Sequence, residues 1–333
     1  MRLNTANRSF FVLVATALVP YVLLGLFGCG VLALVGYRIA AHGLSGLDRG
    51  GQDLRPAAAF FALVALGTIV GGVSVGRQVR ATRRLGQALA VRAMPAAPAL
   101  EQAAARVHLD GQVDLVADDE PFSFTYGLFS PRIAVSSGLL DTTDAAELDA
   151  VLHHERYHVR NRDTLKVVVA RAAPTAFFFL PALGYLRDRY LAGRELAADR
   201  HAVRACGERA LTGALVKTLV GPAWVNMGAA AALGGSAFLE HRVEQLEDGR
   251  EPALPRVPRA AFWATLAALG ILVGVFALTV GVSGSADMSM RGSTRLSVVG
   301  TMVATLGSAG CMVGVGAAVV LLARRGRSHR AGA

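Results

Sequence analysis

Residues 10–36 form an almost unbroken apolar run that follows Arg2 and Arg8. It outlasts the apolar core of a secretory signal, about 7–15 residues, and exceeds the ~20 residues that a bilayer-spanning helix needs. Further runs lie at 57–76, 260–283 and 296–323. Hydrocarbon offers no partner to backbone N–H and C=O groups, so each run must be helical. Pro20, inside the first run, kinks such a helix without excluding it. Arg77, Arg80, Arg83, Arg84 and Arg92 follow the second run, with no acidic residue before Glu101. Cations beside a span mark its cytoplasmic end. With Arg2 and Arg8 they place both ends of the first hairpin inside, and the basic stretch 324–330 does the same for the C-terminus. The expected fold is a mainly α membrane protein. Residues 1–76 would form a two-span hairpin, 77–258 a cytoplasmic domain, and 259–333 a second hairpin with a basic tail.

Composition agrees: 53% of residues are hydrophobic and 17% charged, with a mean hydropathy of +0.44. The net charge of +10 does not point to nucleic acid, because the arginines flank apolar runs and form no separate basic domain. Cys29, Cys206 and Cys311 share no motif spacing and imply no disulfide framework. Gly67 and Gly71, four residues apart in the second run, would permit close approach of another helix.

The interval 94–98, M-P-A-A-P, reads as a linker, after which the composition turns soluble. Residues 112–117 and 132–136 read as strands. Residues 122–126 (F-S-F-T-Y) alternate aromatic and small polar side chains up to Gly127. The pair 122–126 and 132–136 reads equally as a candidate edge for aligning an extended peptide and as a plain structural hairpin. Asp144 and Glu147 form a capping box, so a helix starts near Asp144 and loses its pattern at 161–163. That helix carries His154, Glu155 and His158 as H-E-x-x-H. Residues four apart stack on one helix face, about 6 Å apart along the axis. The two imidazoles can therefore share one metal ion, with Glu155 placed to take a proton from a water beside it.

A catalytic zinc ion (Zn2+) needs a third protein ligand and an open position. Glu195, in the stretch R-E-L-A-A-D-R-H at 194–201, would complete a His2Glu set. Asp199, one turn further, could accept an N–H from a ligand imidazole. The competing reading pairs Glu195 and Asp199 with Arg194 or Arg200. If Glu195 is a ligand, the apolar stretch 165–186 cannot cross the bilayer, because a crossing would separate it from His158. Lys166, Arg171, Pro174 and Pro181 interrupt that stretch, which is expected to lie in or on the membrane, or to be re-entrant. Tyr157, Arg200 and His201 lie near enough in sequence to assist an oxyanion, with no choice among them. His153 and His201 fall off the ligand face and read as structural. Residues 240–251 read as an amphipathic charged helix.

The two metal motifs, with Y-G-L-F-S-P-R-I-A-V-S at 126–136, resemble the integral-membrane zinc peptidases of the β-lactam sensor-transducer (BlaR/MecR) type. More distantly they are similar to the CAAX-prenyl-protease and heat-shock membrane proteases. The resemblance covers roughly 77–250. It implies a gluzincin-like α+β peptidase domain facing the cytoplasm, with zinc on His154, His158 and Glu195 and Glu155 as base. It also implies a protein or peptide substrate, a transcriptional repressor among the candidates. With about ten residues after the last span, no penicillin-binding sensor is expected to follow. Quality-control or prenyl-protein proteolysis, and a non-catalytic membrane scaffold, are the competing functions. A plasma-membrane location with both termini inside fits every flank.

Overall fold

The computed structural model describes residues 5–42, 55–218, 238–250 and 252–288. The chain is mainly helical. Its helices are α1 (Thr5–His42), α2 (Arg55–Val91), α3 (Pro98–Arg106), α4 (Ser137–Thr142) and α5 (Ala145–Asn161). They continue with α6 (Asp163–Ala176), α7 (Ala182–Cys206), α8 (Glu208–Thr218), α9 (Leu239–Asp248) and α10 (Arg259–Met288). Four strands, β1 (Ala93–Met94), β2 (Val113–Val116), β3 (Ser123–Tyr126) and β4 (Arg132–Ser136), make one sheet in the order β1-β2-β4-β3.

Within α1 and α2, the stretches Thr5–Gly30 and Phe61–Val91 are long and apolar enough to cross a membrane. α10 is a third apolar helix. The expected fourth span, 296–323, lies outside the described residues, as do Cys311 and the basic tail. The chain divides into two compact units, one of Met1–Thr16 with Thr68–Phe262, the other of Ala17–Gly67 with the chain from Trp263 on. In the latter, the buried ring of Phe27 meets Phe61 edge-on, 5.5 Å between centroids.

The unit that includes Thr68–Phe262 is built around the sheet. β2 and β4 run parallel, with β1 and β3 antiparallel at the two edges. Side chains alternate across the pleat. Leu115, Ile133 and Val135 therefore face α3, α4 and α5, where they pack with Leu100, Leu139 and Leu152. Val116, Phe122 and Ala134 face the C-terminal part of α2 at Leu85 and Leu89. On that same face Asp114 accepts from the Tyr126 hydroxyl at 2.6 Å and from two Arg132 nitrogens at 2.7 and 2.5 Å. Gly127 ends β3 with a positive φ of 83°, and a Cβ there would meet the Ser130 carbonyl at 2.7 Å.

Two stretches carry structure that composition does not announce. The connection within 94–98 is short: α2 runs unbroken through Arg77, Arg80, Arg83 and Arg84 to Val91, Met94 pairs with Leu115, and α3 starts at Pro98. The backbone hydrogen bonds of β2 decide this, which composition does not report. The stretch 165–186 is not a single helix. α6 stops at Ala176, the chain turns through 177–181, and α7 carries it back. Fourteen residues span about 21 Å, less than a hydrocarbon core. Lys166 donates to Asn7 at 2.7 Å and Gly193 lies against Ala6, so the start of α1 rests on α6 and α7.

Candidate metal centre

α5 begins as its sequence requires. The Asp144 side chain accepts from the Glu147 N–H at 2.8 Å, and Glu147 accepts from the Asp144 N–H at 2.9 Å. Glu147 also holds Lys217 of α8. Two turns on, α5 turns His154, Glu155 and His158 inward, all buried. It ends where Arg162 takes the left-handed conformation (φ 52°, ψ 44°), and α6 starts at the next residue. α7 returns alongside α5 and brings Glu195 and Asp199 to the same place, both buried.

The Nε2 atoms of His154 and His158 lie 3.2 Å apart. Glu195 Oε2 is 3.5 Å from the first and 3.8 Å from the second. Ligand atoms at zinc distances of about 2.0–2.1 Å in a tetrahedron stand about 3.3 Å from each other. These three donors therefore fit one small cation. The electrostatics agree. Both Nδ1 atoms face carboxylates, so two ring lone pairs and a carboxylate oxygen are turned on one another in a buried space. Such an arrangement calls for a positive charge at its middle. Without a metal ion a proton serves: burial opposes charge on His154, but Asp199 and Glu195 outweigh it and lift its pKa to about 9. Burial also opposes ionisation of Glu195, while Arg194 and the two imidazoles hold its carboxyl well below the ordinary range.

Each imidazole has its own orienting acid. His154 Nδ1 lies 2.8 Å from Asp199 Oδ1, short in distance but off the line of a well-aligned hydrogen bond. His158 Nδ1 lies 2.8 Å from Asp163 Oδ2. Asp199 in turn accepts two bonds from the buried Arg242 of α9, both 2.7 Å. Burial opposes its charge, and Arg242 with His154 holds its pKa down at about 2. Asp163 accepts from the Tyr190 hydroxyl at 3.2 Å. The salt-bridge alternative is met in part, since Arg194 reaches Glu195 Oε1 at 2.8 Å and leaves Oε2 to the histidines. Arg200 instead donates to Gln245.

Glu155, next in the chain to His154, is buried and held from β3. The Thr125 hydroxyl is 2.7 Å from Oε2, and that of Ser123 is 3.4 Å from Oε1. Sequence reasoning passed over Asp163, Thr125, Ser123 and Arg242. The small polar residues of F-S-F-T-Y were the signal for two of these, because period-2 alternation puts 123 and 125 on one face. His153 and His201 stay apart from the centre, their rings 5.8 Å from each other. Burial and then neighbouring cations lower both.

A His-Glu constellation between two helices and beside an edge strand, in a chain with two helices apolar enough to cross a membrane, points to the class of membrane-associated metallopeptidases. The sequence profile of the BlaR1 peptidase M56 family matches residues 54–246, more than half of the chain, and the chain belongs to that family. It is also similar to proteins named protease HtpX homolog. With that of Herminiimonas arsenicoxydans it is 38% identical over 84 residues, 24% of this chain and 29% of the relative. With that of Chlorobium phaeobacteroides (strain BS1) it is 37% identical over 82 residues, 23% and 27%. With that of Acidiphilium cryptum (strain JF-5) it is 43% identical over 61 residues, 17% and 21%. The chain spans under a third of the length of these relatives.

Proposed function

We propose that this protein is a membrane-embedded zinc endopeptidase that cuts a cytoplasmic or membrane-proximal protein. The observation that carries the reading is the buried trio of His154, His158 and Glu195, whose donor atoms lie within 4.8 Å of one another, with Glu155 beside it. A zinc ion held by these three residues would supply Lewis acidity to a water and to the scissile carbonyl. Glu155 takes the proton from the attacking water and returns it to the leaving amide nitrogen. Thr125 and Ser123 keep its carboxylate turned inward, while Asp163 and Asp199 fix the ring orientation of the two histidines. β3, an edge strand, offers its free side to an extended substrate segment, which would pair with it as an added strand.

The arginines after the second span support a cytoplasmic site in the plasma membrane, flanked by the 1–76 and 259–333 hairpins. The α6–α7 turn supports a re-entrant hairpin: Ala176 packs on α2 at Gly71, about 9 Å up the helix from Arg77, and Phe178 at its tip is exposed. A transcriptional repressor, which the sequence resemblance implies as a candidate, is one substrate class for this reading. Hydrolysis of casein by the purified full chain in detergent with zinc tests the reading. Glu155→Gln should lower the rate by about 10²–10⁴-fold with zinc content unchanged. Full activity in that variant would overturn it.

A further inference from the structure

A cavity of about 780 Å3 opens between α2, α6 and α7, away from the metal centre. Its charged lining is Arg77 of α2, Arg171 of α6, and Arg187 and Asp188 of α7. The last two pair with each other at 2.8 Å. Ile69 and Val73, both exposed, continue the lining along the apolar part of α2. The cavity is therefore basic at one end and greasy at the other.

The helix geometry sets its level. α2 and α6 meet closely at Gly71 and Ala176, where a Cβ on Gly71 would come 2.6 Å from that of Ala176. Arg77 is six residues from this contact and Arg171 five, about 9 and 7.5 Å along their helices. The two residues thus lie a similar distance along their helices from this contact and line the same cavity, where α2 passes from apolar sequence to its arginine series. Arg171 has the like charges of Arg194 and Arg187 near it, with the carboxylate of Asp188 acting against them; three arginines against one aspartate leave the lining with an excess of positive charge that favours an anion. A phosphate accepts bidentate guanidinium contacts, and basic pockets between helices on the cytoplasmic side suit anionic headgroups.

We propose that this cavity binds an anionic phospholipid, with its phosphate between Arg77, Arg171 and Arg187 and an acyl chain along Ile69 and Val73. The inference rests on the membrane placement of α2 and not on peptidase activity, so its test reads lipid alone. The full chain is placed in nanodiscs of phosphatidylcholine and phosphatidylglycerol, released, and weighed by native mass spectrometry. Phosphatidylglycerol should be retained in preference to phosphatidylcholine. Arg77→Gln, at an exposed position where folding is not at stake, and Arg171→Gln should each weaken retention about tenfold or more. Arg171→Lys should keep most of it, and Arg83→Gln with Arg84→Gln, outside the cavity, should leave it unchanged. Equal loss in the Arg83/Arg84 pair would reduce the effect to the general surface field and overturn the proposal. So would unchanged retention in Arg77→Gln. Displacement of the lipid by soluble glycerol phosphate or by an acidic peptide would also overturn it, since the site would then need no acyl chain.

Discussion

His154 and His158 both turn Nδ1 towards a buried aspartate at 2.8 Å, yet the two aspartates are anchored by unlike means. Asp199 sits on α7 and is clamped by a bidentate guanidinium from α9, 43 residues further along the chain. Asp163 sits at the break between α5 and α6, bonded by a neutral phenol, with Lys166 at 4.0 Å. Two parallel bonds from a guanidinium fix direction as well as distance, whereas the phenol gives the Asp163 carboxylate a single bond of 3.2 Å. The Asp199 flank is thus the rigid, tertiary side of the centre. The Asp163 flank is local and more weakly held. Its cation also touches Asn7, so this side is tied to the start of α1.

The largest effect should come from breaking the rigid flank. Arg242→Ala leaves the buried Asp199 carboxylate with His154 alone, and breaking a buried ion pair costs about 3–5 kcal/mol. Thermal unfolding of the metal-free protein should show the loss; a change below 1 kcal/mol would mean that α9 does not anchor the centre. Next, Asp199→Asn and Asp163→Asn should each lower zinc affinity by about 10–100-fold, with the larger loss at Asp199. Competition with a chelator measures both, and a larger loss at Asp163 would reverse the ranking of the two flanks.

A pH dependence sharpens the same comparison. His154 has its folded pKa raised from 6.5 to about 9. Its stabilising contribution is therefore complete below pH 6.5 and is lost as pH rises through about 9. The metal-free protein should lose stability across that window, and His154→Gln should flatten the loss. Zinc uptake within the window should release about one proton, read by calorimetry in buffers of different ionisation heat.

Much of the centre was legible because its spacing is helical. His154 and His158 stack by the four-residue rule, the Asp144–Glu147 box announced the start of α5, and Glu195 and Asp199 repeat the same four-residue step on α7. What escaped was set by backbone events or by distance in the chain. Asp163 is five residues from His158, about 140° off its face on a continuous helix. Only the left-handed turn at Arg162 brings it back, and no local pattern marks a non-glycine residue for that conformation. Arg242 looked like one charge among many on an amphipathic helix. Its burial comes from how α9 docks on α7, which residues 240–251 alone do not encode. β1 has two residues, too few for any periodicity, and exists because β2 offers an edge.

The central claim is that His154, His158 and Glu195 together hold one zinc ion. X-ray absorption at the zinc edge on the purified, zinc-loaded protein tests it most directly. Two imidazole nitrogens and a carboxylate oxygen should appear at about 2.0–2.2 Å, and Glu195→Ala should remove the protein oxygen while both nitrogens stay. A spectrum with sulfur ligands, or one left unchanged by Glu195→Ala, would contradict the account.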